Sequence, residues 1–370
     1  MQSNSKSGSR RSLNSLVSFY SSKMLLISTL FIPFHSISAS KSNQQPHFLS
    51  NPKLTVVAVD NPSAVFSKDQ FQYGFGYDLV KTYAQNLNAE LDFKTVPDNA
   101  TALKLVAQGK VDFAMTTAKQ TTIEEKQLTS FSVSCGNFNA LTHNSLDTDL
   151  NWVFKNAEDQ QTSRASGFIC DSKMNGRLNQ LASFYNRNTV KENEWDRVQD
   201  NLTQRLPIYK ASFKQSAQRY DIDWHLLAAI GYQESYLKPD SVSPTGVRGL
   251  MMLTSNTAQA MGVNNRTDPA QSIQGGAKYF DLMLKKYEHV PAPDRHWFAL
   301  AAYNMGPGAL DSIQNKVQRL GKNPNQWLNV YDYLRNHQSS NARYKQAVTY
   351  VTRIRAYLEH IKTTPQLLNI

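Results

Sequence analysis

Residues 221–237 read D-I-D-W-H-L-L-A-A-I-G-Y-Q-E-S-Y-L. The run is apolar over its middle and keeps a helical period. Leu227, Ile230 and Glu234 stand at i, i+3 and i+7, on one face. The last of these is a carboxylate on the stripe that should face a core. Desolvation there raises a carboxyl pKa, which keeps a proton on it near neutral pH. A general acid needs that property. A helical Glu placed on the polar edge would read much the same, since Glu is almost never fully buried without a partner. Two downstream stretches favour the buried acid. S-P-T-G-V-R-G-L-M-M-L runs from Ser243 to Leu253, and A-A-Y-N-M-G-P-G from Ala301 to Gly308. Both place glycines where a backbone must turn or approach another group closely.

From Ile208 to about Ile361 nothing reads as strand. Helices are expected at 209–220, 221–237, 254–261, 269–287, 296–304, 309–320, 327–334 and 342–361. Gly262 closes one of them, and Gly306-Pro307-Gly308 interrupts another pair. This is an all-α domain of common size, placed at 205–365. Pro207 is expected to mark the joint into it.

Working toward the N-terminus, Lys53–Val59 (K-L-T-V-V-A-V) is a buried strand by its continuous β-branched content. Glu90–Val96 alternates as a strand, and Val111–Met115 is a third. Helices at 77–87 and 100–108 lie between them. Strands alternating with helices imply a parallel α/β sheet, within a domain placed at 51–200. The fold class is therefore α+β, two domains, with an α/β lobe before the helical domain. The 370 residues suffice for two cores.

Met1–Lys23 is basic and Ser-rich, Met24–Phe34 is apolar, and small residues follow to Ser40. Residues 1–40 read as an export signal cleaved near Ala39 or Ser40, and 41–50 as a linker. The apolar run is too short for a permanent membrane span. The net charge of +11 falls to +7 without Lys6, Arg10, Arg11 and Lys23 of that segment. Such a balance favours anionic partners. The basic residues are dispersed and no nucleic-acid motif occurs, so no nucleic-acid partner is expected. The eight His are scattered, with no C-x-x-C and no H-E-x-x-H, so no metal and no cofactor are expected. Cys135 and Cys170 follow the signal. In an oxidising compartment they form one disulfide or remain two buried thiols, and the sequence leaves both open.

The helical region resembles the lysozyme-like catalytic domain of the soluble lytic transglycosylase superfamily. The resemblance rests on Q-E-S (Gln233–Ser235), the Ser243–Leu253 loop and the A-Y-N motif, in that order. G-V-R-G-L-M-M-L-T and T-D-P-A-Q-S-I-Q-G-G (Thr267–Gly276) resemble the membrane-bound lytic murein transglycosylase F family in particular. The first domain resembles one lobe of a periplasmic solute-binding domain through G-F-G-Y-D-L-V (Gly74–Val80), Leu105–Met115, Thr121–Lys126 and Lys173–Tyr185. The family's second lobe is mostly missing between Gly136 and Leu150, so a closed ligand cleft is not expected.

The resemblance implies cleavage of the β-1,4 bond between N-acetylmuramic acid and N-acetylglucosamine in peptidoglycan, without water, leaving a 1,6-anhydro sugar. It implies peptidoglycan glycan strands as partner and peripheral outer-membrane association, facing the periplasm. Glu234 would be the catalytic acid and then base. Ser243 would help hold the sugar, against a plain turn serine before Pro244. Tyr303 would stand near the acid, against a core aromatic with a satisfied hydroxyl. Asn304 would brace the Gly306–Gly308 turn or touch substrate. Tyr344 and Tyr350 would line the groove or simply pack their helix. Met252 stands where many relatives carry Gln. Ordinary glycosidases need two carboxylates, and Asp240, six residues on, reads as a turn residue. A hydrolytic lysozyme on the same fold, or a wall-binding protein without catalysis, are the alternatives.

Overall fold

A computed structural model describes residues 52–368 apart from 62–63, 69–70 and 137–138. The expected export signal and linker lie outside the described residues. The first half contains β1 (Lys53–Val59), α1 (Phe75–Asn86), β2 (Glu90–Val96), α2 (Asn99–Ala107), β3 (Phe113–Thr116), α3 (Gln120–Glu125), β4 (Thr129–Ser132), α4 (Asn139–His143), β5 (Asn151–Phe154), α5 (Gln160–Met174) and α6 (Arg177–Phe184). After a 3-10 turn at Arg187–Thr189 come α7 (Glu192–Tyr220), α8 (Trp224–Ser235), α9 (Ser255–Met261), α10 (Pro269–Lys286), α11 (Asp294–Met305), α12 (Pro307–Arg319), α13 (Trp327–Asn336), α14 (Ala342–Thr363) and α15 (Pro365–Leu368).

Among the described residues there is one sheet, ordered β2-β1-β3-β5-β4. β1 pairs in parallel with β2 and β3, as βαβ crossovers through α1 and α2 require. The expectation of an all-parallel sheet fails at β5, which runs antiparallel to both β3 and β4. β4, reached from β3 through α3, lies two places away and parallel to β3, and β5 fills the gap between them by pairing antiparallel with both.

The period-2 alternation of the inner strands sorts side chains by size. Val56, Phe113, Met115, Trp152 and Phe154 face the large core shared with α1 and α6, while Val57, Ala114 and Val153 face α2. Phe113 stacks on Trp152 at 4.5 Å. Cys135 and Cys170 are joined by a disulfide with Cα atoms 5.2 Å apart. It ties the turn after β4 to α5.

α7 corrects the expected joint at Pro207. The helix runs unbroken through that residue. Pro207 and Thr203, whose carbonyl loses its partner, are both exposed, so the lost bond lies at the surface and not in the core. Leu202, Leu206, Phe213 and Ala217 keep one buried stripe across the proline, and α7 packs on α8 and α10. Packing of that stripe outweighs the roughly 3 kcal/mol that an interior proline costs.

The two halves share a core. Phe184 at the end of α6 meets Trp297, Trp327 and Tyr331 edge-on. The hydroxyl of Tyr331 donates to Ser183 O at 3.0 Å. Arg355 of α14, only 2% exposed, donates to Phe184 O and Asn186 O and pairs with Glu359 at 2.7 Å.

Candidate active site

α8 starts at Asp223, whose carboxylate accepts from the His225 backbone N–H at 2.8 Å. His225 and Lys362 beside it hold that carboxyl well below its ordinary range against the opposing effect of burial. Its apolar face packs against α14, and the helix ends when Tyr236 turns left-handed. Glu234 therefore sits on the last turn, half-buried, at the floor of a cleft of about 630 Å³.

Burial pushes its pKa up to about 7, while the hydroxyl of Tyr350 pulls the other way. That hydroxyl donates to Glu234 Oε1 at 2.6 Å. A carboxyl so placed divides its time between acid and base forms near neutral pH. Among the described residues no other carboxylate lines the cleft.

The loop 238–253 forms one wall. Ser235 Oγ donates to Leu250 O at 2.8 Å. Two antiparallel bridges, Val242 with Arg248 and Arg248 with Leu253, close the loop on itself. Its far side presses on α10. A Cβ on Gly276 would lie 2.7 Å from Met251 Cβ, and one on Gly249 would lie 1.8 Å from Arg266 O. Gly249 also has φ +88°, so both its conformation and its space demand glycine. Arg266 Nη1 donates to Gly246 O and Leu253 O, clamping both ends of the turn.

Of the residues weighed for the groove, Glu234, Ser243, Met252, Tyr303, Asn304 and Tyr350 line this cleft, in different ways, and Tyr344 does not. Ser243 lines it, but its hydroxyl accepts from Val247 N at 3.1 Å and meets Thr245 Oγ1 at 3.0 Å, so it also shapes its own turn. Tyr303 lines the cleft from α11. Its hydroxyl donates to Met251 O at 3.0 Å, and its ring lies parallel to that of Tyr350 at 6.5 Å. Asn304 lines the cleft with a buried Oδ1 that finds no hydrogen-bond partner among the described residues. The turn it was expected to brace is held by Arg343, which donates to Met305 O. Met252 lines the cleft with φ 47°. Tyr344 meets Lys316 at 3.3 Å and does not line the cleft.

Tyr350 is one of the residues that sequence reasoning left undecided. Its signal was available in α14. Ala342, Lys345, Gln346, Thr349 and Tyr350 all line the cleft and fall on one helical stripe. That stripe is polar where a packed face would be apolar.

A helical domain whose cleft, among the described residues, is lined by one carboxylate at the end of an apolar helix, faced by a glycine-closed loop and a tyrosine, defines a class. The family model of the transglycosylase SLT domain matches residues 211–326. The chain is 33% identical over 364 residues to a membrane-bound lytic murein transglycosylase F of Pseudomonas fluorescens, covering 90% of this chain and 72% of that one. It is 38% identical over 280 residues to the namesake in Stutzerimonas stutzeri, covering 72% of this chain and 56% of the relative. With that of Marinobacter nauticus the identity is 41% over 228 residues, covering 57% and 45%. The chain thus belongs to the membrane-bound lytic murein transglycosylase F family. It spans about half the length of the latter two relatives. No helix among the described residues is long and apolar enough to cross a membrane.

Proposed function

We propose that the protein is a peptidoglycan lytic transglycosylase. The observation that carries this reading is Glu234 at the cleft floor, its pKa raised to about 7, with no second carboxylate lining the cleft among the described residues. One carboxyl suffices when the nucleophile belongs to the substrate. Protonated Glu234 donates its proton to the glycosidic oxygen between N-acetylmuramic acid and N-acetylglucosamine as the C1–O bond breaks. The resulting carboxylate then removes the proton of the muramyl C6 hydroxyl, whose oxygen bonds to C1. The product is a 1,6-anhydro end, and Glu234 finishes protonated. Tyr350 fixes the carboxyl between the two oxygens it serves. Ser243, Tyr303 and Asn304 are the proposed saccharide contacts.

In this reading residues 205–365 carry the chemistry, and residues 51–200 form a non-catalytic lobe fixed to it. The chain acts after export to the periplasm, peripheral to the outer membrane. Mass spectrometry of products from purified sacculi tests the proposal. Wild type should release anhydromuramic ends, and Glu234→Gln should slow release by a factor of about 1,000. Reducing ends instead would make it a hydrolytic lysozyme. Full activity of Glu234→Gln would leave neither enzymatic reading standing.

A further inference from the structure

The cleft carries two ionisable charges of opposite sign. Glu234 is one. The other is Lys345, one turn and a half before Tyr350 on α14, where the rise per residue puts it about 7 Å along the helix axis from Tyr350. The remaining side chains of the lining that reach solvent, such as Gln233, Thr245, Gln346 and Thr349, are neutral hydrogen-bonding groups or small. These suit hydroxyls and amides of a sugar and ask for no charge. Lys345 does. It is exposed, and among the described residues its ammonium has neither a carboxylate nor a hydrogen-bond acceptor. The neighbouring cations differ. Arg343 is spent on Met305 O, and Lys316 on the hydroxyl of Tyr344 at 3.3 Å.

We infer that Lys345 is a specificity-determining residue that recognises a carboxylate carried by the glycan on its muramyl residues. This rests on the peptidoglycan reading above. The two sugars of that polymer are otherwise neutral. Its negative charge hangs from the muramyl lactyl group, as the free lactyl carboxylate of stem-free strands or as carboxylates of the attached peptide stem. An ammonium one and a half turns from the tyrosine that holds the acid would set which sugar lies on each side of the scissile bond. It supplies a contact made equally in ground and transition states, so its loss acts on KM rather than kcat.

Cleavage kinetics of the full chain on three soluble substrates test this: stem-bearing strands, amidase-stripped strands, and strands whose carboxylates are blocked as methylamides. Lys345→Met should raise KM about fivefold on a carboxylate-bearing substrate, as befits an exposed ion pair, with kcat retained. Lys345→Arg should restore it, and the difference should shrink at high salt. On blocked strands wild type and Lys345→Met should coincide. An effect confined to stem-bearing strands assigns the stem carboxylate, and one confined to stripped strands the lactyl carboxylate. Equal loss on blocked and unblocked strands, or no loss on either, overturns the inference while wild-type cleavage leaves the peptidoglycan reading intact. No cleavage of any strand by wild type overturns both.

Discussion

The hydroxyl of Tyr350 lies 2.6 Å from Oε1 of Glu234, across 116 residues of chain. Two forces act on that carboxyl. Desolvation raises its pKa and the tyrosine hydroxyl, which favours the charged form, lowers it. The cleft thus holds an acid strong enough to protonate and weak enough to be reprotonated.

Removing the hydroxyl separates the two forces. In Tyr350→Phe the Glu234 pKa should rise further, so the alkaline limb of the rate profile moves to higher pH. Because the carboxyl also loses the bond that positions it, kcat should fall roughly tenfold. A pH–rate series on both proteins checks this. A uniform loss with an unmoved limb would assign the tyrosine a packing role alone.

Ionising Glu234 should cost stability. Its pKa is 4.5 ordinarily and about 7 in the fold, so between those values the folded protein binds more protons than the unfolded chain. Stability from this group is full below pH 4.5, falls as pH rises toward 7, and is level above it. Glu234→Gln removes the ionisation. It should match wild type at pH 4 and exceed it at pH 8 by roughly 1–3 kcal/mol, the range allowing for water in the cleft. Asp78, also raised to about 7 by burial, is common to both proteins and cancels. Urea denaturation at the two pH values measures the difference.

How far the chain announces this arrangement depends on distance along it. β1 and β2 occupy the ranges read from Lys53–Val59 and Glu90–Val96, because their β-branched and alternating patterns are local. β4 and β5 are four residues each, T-S-F-S and N-W-V-F, too short to show a period, and the direction of β5 comes from its pairing between β3 and β4. Pro207 misled for a related reason. Its backbone preference is local, while the stripe from Leu202 to Ala217 that overrides it acts through α8 and α10. Glu234 was legible because its own helix places it. Tyr350 was ambiguous because the partner that gives it meaning arrives only with the packing of α8 on α14.

The wall opposite α14 depends on a position without a side chain. Gly249→Ala sets a methyl 1.8 Å from Arg266 O at φ +88°. The strain and the overlap together should cost about 2–4 kcal/mol. The loop must also move, carrying Met251 O away from Tyr303. Thermal unfolding and glycan cleavage should both register the change, cleavage more strongly per folded molecule.

The disulfide acts elsewhere. Cys135 and Cys170, separated by 35 positions, close a loop in the sheet half. Replacing both with Ser should lower stability by about 2–4 kcal/mol through the unfolded chain. Cleavage at 25 °C should be unchanged, since neither residue lines the cleft. Denaturation with and without reductant distinguishes the wild type from the double variant.

Tyr350 and Arg355 are five positions apart on α14 and look in different directions. One touches the Glu234 carboxyl, and the other reaches into the sheet half to Phe184 O and Asn186 O. The same rod is therefore a keel for both halves. A shortened protein beginning at residue 205 would leave that guanidinium facing a hole where two carbonyls had been, about 7.5 Å along the rod from the tyrosine that holds Glu234. What looks in sequence like a detachable front piece is, at this seam, the abutment against which α14 is trued.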